Sequence, residues 1–252
     1  MIMEKILSYA MDIGEQMLMS GAEVHRAEAS VQRICTALGA ARTDVFIITS
    51  SMVATVFDDD GRSFTQTRRI TASDTDYEKL HRLNDLARRI CAGRVRVDDI
   101  KDELAAALNT PAYPLWLECI CYSAIAGAFT LFFGGGIAET LVSLFAGLIV
   151  RLFMILTEKA VPSKIFSKFA SAVTATLISL VAVKLGIIPD VDKVIIGNIM
   201  TLIPGIGLTN ALRDLFTGDS IAGLLRSIEA VLTALAIAAG FYLVAIPGGL
   251  VL

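Results

Sequence analysis

Charge of one sign is not in excess in this chain, and the residues that ordinarily hold metals are scarce. Its 22 basic and 25 acidic side chains leave a formal net charge of −3, which offers neither a nucleic-acid surface nor a polybasic membrane anchor. The four cysteines show no ligand spacing: Cys119 and Cys121 stand two apart on a helical stretch and point to different faces. They read as small buried hydrophobes. There are two histidines. His25 and Glu28 could face one ion from a single helix, with Glu23 nearby, but metal sites need three or four convergent ligands. A solvated, mixed-charge face is the reading adopted, and no metal or cofactor is expected. A P-loop glycine pattern is missing, which removes support for ATP-driven chemistry. No Ser/His/Asp order can be assigned, so no catalytic residue is named. A cleavable leader is not expected either, because Glu4, Asp12 and Glu15 interrupt the first stretch.

What the chain does have is apolarity, unevenly distributed. Over 252 residues, 55% are hydrophobic and the mean hydropathy is +0.66, too apolar for an ordinary soluble domain. Through Leu115 there are 14 basic and 17 acidic residues, and beyond it only 8 of each. Two solvents are implied, water for the first part and lipid for the second. The expected fold is an α-helical integral membrane protein with five transmembrane helices, preceded by a small α+β cytosolic domain. The expected boundary is 1–112 and 113–252.

In the first part, Ile6, Tyr9, Ala10, Ile13 and Met17, then Val24, Ala27, Val31, Ile34 and Leu38, recur at helical spacing. They predict two amphipathic helices parted near Ser20 and Gly21. Val45–Thr49, Met52–Phe57 and Arg62–Ile70 predict an antiparallel meander turned at Asp58–Gly61. Ser73 or Asp74 should cap a helix running to about Cys91, and Val97–Leu108 a shorter one.

The second part predicts spans at Leu117–Phe133, Ile137–Leu156, Phe169–Leu185, Val194–Leu208 and Ile221–Ile246, since about 17 to 25 apolar residues suffice. Tyr113 and Trp116 sit where amphipathic rings favour the interface. Lys159, Lys164 and Lys168 follow the second span, with Arg151 able to snorkel to that end, and Arg213 and Arg226 follow the fourth. The positive-inside rule then puts the amino-terminal domain in the cytosol and Leu252 outside. Gly127, Ala124, Ala128 and Gly147 suggest self-association through close helix approach.

The fourth span is the irregular one. VIIGNIMTLIPGIGLTNALRDLF, from Val194 to Phe216, is cut by Gly197, Pro204, Gly205 and Gly207 and carries Asn198, Thr209 and Asn210. Proline removes a backbone donor, and an unpaired carbonyl in lipid costs several kcal/mol unless protein, water or a solute takes it up. Interrupted spans of this kind point to a transporter's binding site, although a simple packing kink is the alternative. Asn198, Pro204, Gly205, Gly207, Thr209 and Asn210 are therefore the candidate substrate pathway, with amides after Pro204 able to hold a carboxylate. Charged residues in spans are functional hypotheses by default. Glu229 is the candidate proton carrier, its alternative being a salt bridge to Arg226 one turn away; Arg213 and Asp214 complete the candidate coupling or gating group.

Three stretches together carry a resemblance: LMSGAEVHRAEASVQRICTALGA (Leu18–Ala40), FIITSSMVATVFDDDG (Phe46–Gly61) and LIPGIGLTNALRDLFTGDSIAGLLRSIEA (Leu202–Ala230). They resemble the threonine/serine exporter family. The resemblance implies a cytosolic domain, one five-span half, and a second five-span half that this sequence lacks. The chain looks like the larger component of a two-component branch similar to a bacterial succinate exporter. It implies ion-driven efflux of small carboxylate-bearing metabolites across the cytoplasmic membrane, with a second five-span subunit or another copy of the chain as partner. Rival readings are a membrane-anchored hydrolase and a structural or regulatory subunit without its own pathway.

Overall fold

The computed structural model describes residues 2–71, 74–109, 111, 113–161 and 163–249. Ser73, residue 112 and Leu252 lie outside the described residues. The chain divides into two units: Met1–Pro111 with Thr209–Ser227, and Ala112–Leu208 with Ile228–Leu252. The return of Thr209–Ser227 to the first unit was not foreseen from the apolar runs.

The first unit begins with helices α1 (Ile2–Met19) and α2 (Val24–Ala37). The strands β1 (Arg42–Ile48), β2 (Ser51–Phe57) and β3 (Ser63–Arg69) follow as an antiparallel sheet in sequential order. Strand β1 starts three residues before the apolar run does, because Arg42 pairs in register with Phe57 and Thr43 with Val56. The alternation of β2 turns Met52, Ala54 and Val56 inward, where they meet Leu7, Met11, Met17, Val31 and Ile34 in one core. Helices α3 (Tyr77–Cys91) and α4 (Ile100–Leu108) add Leu83, Leu86, Ile90 and Leu104 to that core. The cap of α3 is Asp76, whose carboxylate accepts the Lys79 N–H at 2.9 Å, and not the expected Asp74. Burial pushes the Cys35 thiol up to about 12, so this cysteine packs as an inert hydrophobe.

The second unit contains α5 (Leu115–Phe132), α6 (Ile137–Ala160) and α7 (Lys164–Lys184), then α8 (Asp192–Met200), α9 (Gly205–Thr217) and α10 (Ser220–Ala245), the last two shared with the first unit. Helices α5, α6, α7 and α10 are long and apolar enough to cross a membrane, and α8 with α9 makes a fifth candidate if the bent pair counts as one span. The burial pattern is that of lipid as solvent. Large side chains such as Ile125, Phe132, Leu141, Phe145 and Leu235 face outward, while Ala126, Ser143, Ala146, Ala172, Ala175 and Ser179 face inward. With no hydrophobic gain between helices in lipid, association depends on close backbone approach, which small residues permit. Gly134 closes the α5–α6 turn at φ +84°, a conformation side chains resist. Gly127 and Gly147 each let the two helices of the α5–α6 hairpin approach closely. A Cβ on Gly127 would lie 2.7 Å from Leu144, and one on Gly147 would lie 2.9 Å from Ala126.

Candidate functional site

The break in the fourth apolar segment follows from its covalent chemistry. Pro204 has no N–H for the Met200 carbonyl, so α8 stops and the chain tightens. Thr201 donates to Asn198 O at 3.2 Å and Leu202 to Ile199 O at 2.8 Å, both one residue shorter than the helical step. Helix α9 restarts at Gly205, Leu208 donating to Pro204 O at 2.9 Å, and its axis is bent 54° from that of α8. Gly205 and Gly207 are exposed. A Cβ on Gly205 would meet nothing within 4 Å, and one on Gly207 only Pro204 at 3.9 Å. Their smallness answers to nothing inside the chain.

Below the break, α8 carries Asn198, which is fully buried. Its amide Nδ2 donates to Val194 O and to Ser143 Oγ on α6, both at 2.9 Å. Ser143 Oγ lies 2.7 Å from Thr130 Oγ1 on α5. Thr130 also reaches Ala126 O at 3.0 Å and Lys193 O at 3.3 Å. Since the Val194 carbonyl can only accept, Nδ2 is fixed there and Oδ1 points the other way, where it finds no donor among the described residues. A buried acceptor left without a donor costs about 1–3 kcal/mol. Gly197 makes the arrangement possible, since a Cβ there would sit 2.2 Å from Thr130 Oγ1 and 2.8 Å from Ala126 O.

Of the other sequence-derived candidates, Thr209, Asn210, Arg213, Asp214 and Arg226 sit in the first unit and Glu229 in the second. Thr209 is exposed and Asn210 half-buried on α9. Arg213 holds Glu23 at 2.7 Å. Asp214 is 1% exposed, and Arg226 Nη1 stands 3.0 Å from its Oδ2. That is ion-pair range without hydrogen-bond alignment. Arg226 also donates to Ala22 O at 3.0 Å. The alternative role foreseen for Glu229 is thereby corrected: Arg226 is engaged by Asp214 and Ala22, and Glu229 is exposed on α10 with no ion pair among the described residues. The tight turn at Gly218, φ +97°, returns α10 along α9 and decides this pairing.

Of the helix face around His25, Glu23 takes Arg213 and Glu28 accepts the Ile47 N–H at 2.8 Å. Burial raises the Glu28 carboxyl above its ordinary value and Asp219 raises it further, against lowering by the Ile47 amide and by His25. A carboxyl whose folded pKa is raised contributes stability fully present below the unfolded value, near 4.5, and lost as pH rises through the folded value. Glu28→Gln keeps an acceptor for Ile47 and removes the charge. At pH 8 it should stabilise the full chain by less than about 1 kcal/mol for so partial a burial, read as a raised thermal midpoint, and below pH 4 it should change nothing. A lowered midpoint at pH 8 would contradict this assignment.

Thr130 and Ser143 were missed as site residues, though a hydroxyl within an apolar run was visible. So was Glu118 on α5, which forms an ion pair with Arg151 on α6. Arg151 therefore does not snorkel freely; its guanidinium also lies over the Tyr122 ring, 5.2 Å from the centroid.

Comparison with known proteins gives a family-model match over residues 8–246, described as "Putative threonine/serine exporter". The chain is 28% identical over 225 residues to the "Probable threonine/serine exporter" of Mycobacterium tuberculosis, covering 88% of this chain and 42% of that protein. It is 24% identical over 250 residues to the "Threonine/serine exporter" of Corynebacterium glutamicum, covering 93% of this chain and 50% of that one. The chain thus spans half or less of the length of these relatives. No solved structure gives a significant match.

Proposed function

Because the chain belongs to the threonine/serine exporter family, we propose that it is the part of a secondary transporter that binds and exports small amino acids across the cell membrane. The observation that carries this reading is the break between α8 and α9. Two open glycines adjoin it, and the Asn198–Ser143–Thr130 cluster with an unmatched acceptor lies just below it. Interrupted helices of this kind are how transporters present backbone groups to a solute. The remaining wall of the pathway belongs to a further membrane segment, in the same polypeptide or in a second subunit, since the relatives are about twice as long. The amino-terminal unit faces the cytosol in this reading, on the side of Lys159, Lys164 and Lys168. Glu229, with Arg226 occupied elsewhere, is the acid assigned to proton exchange.

The experiment is counterflow of labelled L-threonine and L-serine in proteoliposomes holding this chain and its complementary membrane half. Gly205→Leu is the informative variant. A Cβ at this position meets no part of the chain, so the protein should insert and keep its thermal midpoint while counterflow falls to background. Full exchange by that variant would remove the break from the pathway.

A further inference from the structure

Charged side chains inside membrane spans persist where they meet one another or a solute. Arg151, within α6, meets Glu118 in the first turn of α5, with side chains 18% and 33% exposed. Arg151 lies nine residues before the end of α6, about 13 Å along the axis. The pairing leaves it incompletely used. A guanidinium carries five N–H donors in a fork suited to carboxylates, yet the buried Nε of Arg151 finds no acceptor among the described residues. One face of the guanidinium is stacked on Tyr122. Tyr122 in turn packs on the buried cluster that contains Leu202, in the break itself, together with Ile199 of α8. The ion pair and the interrupted backbone therefore border the same buried cluster.

We propose that Arg151 and Glu118 form the recognition site for a zwitterionic α-amino acid, Arg151 taking its carboxylate and Glu118 its ammonium. This deepens the exporter reading and rests on it. In the empty protein the two residues neutralise each other. A bound amino acid inserts its own two charges between them, so one ion pair becomes two and the net charge of the site is unchanged. A dicarboxylate cannot do this, since its second carboxylate would face Glu118. The unused Nε gives Arg151 a further donor for the incoming carboxylate. Tyr122 holds the guanidinium plane in place during the exchange.

The test is ligand-induced thermal stabilisation of the purified full chain, read with L-threonine, L-threonine amide, N-acetyl-L-threonine and succinate. The wild type should respond to L-threonine and at least about tenfold more weakly to each of the others, because a site built around paired polar groups rejects analogues lacking them. That series requires no substitution. Glu118→Gln and Arg151→Lys should each weaken L-threonine binding by at least about tenfold. The charge-swapped double variant E118R/R151E retains an ion pair, and should keep the unliganded midpoint while losing the response. Equal binding by the charge-swapped variant and the wild type, or succinate binding better than L-threonine, would overturn the inference. Should the swapped variant also exchange threonine at the wild-type rate in proteoliposomes, the exporter reading survives and this site falls. Should the wild type exchange neither threonine nor serine, both fall.

Discussion

Gly197→Ala should strongly destabilise the membrane unit. The added methyl would stand 2.2 Å from Thr130 Oγ1, 2.8 Å from Ala126 O and 2.9 Å from Thr130 N. The hydroxyl could rotate away, at the expense of its bond to Ser143. The backbone of α5 could not, so α8 would have to withdraw. Overpacking usually costs about 1–3 kcal/mol, and contacts to main chain place this change at or above the upper end. The checks are the thermal midpoint and the monodisperse yield in detergent. A double variant with Thr130→Ala should recover little, because the clash with Ala126 O and Thr130 N persists. Wild-type behaviour of Gly197→Ala would show that α5 and α8 do not approach as described.

Arg226→Ala should be at least as damaging, for an electrostatic reason. It leaves Asp214, 1% exposed, without its cation, and it strips Ala22 O of a donor. Removing one member of a buried pair costs about 3–5 kcal/mol. The second member makes the point testable. Asp214→Asn combined with Arg226→Met removes both charges, and should restore most of the midpoint that Arg226→Ala loses. Because α9 and α10 each have residues in both units, the double variant separates stability from coupling. If the pair only holds these helix ends, counterflow returns with the midpoint; if it gates, counterflow stays low in a stable protein.

Much of the architecture was readable because it depends on local periodicity. The amphipathic spacing from Ile6 to Leu38 marks α1 and α2, and the β-branched runs around Met52 mark the sheet. Pro204 marks the break because a missing N–H acts wherever it is placed. The pairings were less legible, since they depend on which helices become neighbours. Asp214 and Glu229 both lie within reach of Arg226 along the chain. Only the turn at Gly218 and the crossing at Gly223, where a Cβ would come within 2.8 Å of Ala211 O, decide for Asp214. Glu118 and Arg151 stand 33 residues apart, and no periodicity connects them. Thr130 and Ser143 were hidden for a related reason, because an isolated hydroxyl in a span commonly bonds its own helix, as Thr176 does with Ala172 O.

Opening of the interruption between α8 and α9 to water and to the transported amino acid is what the proposed export requires. It is tested most directly by labelling the Gly205→Cys variant with a membrane-impermeant maleimide, in the membrane-inserted protein with the exposed Cys91 and Cys121 replaced by serine. The introduced thiol should be modified, and saturating L-threonine should slow its modification while L-threonine amide does not. A thiol that stays unmodified, or one modified at the same rate with and without L-threonine, would contradict that opening.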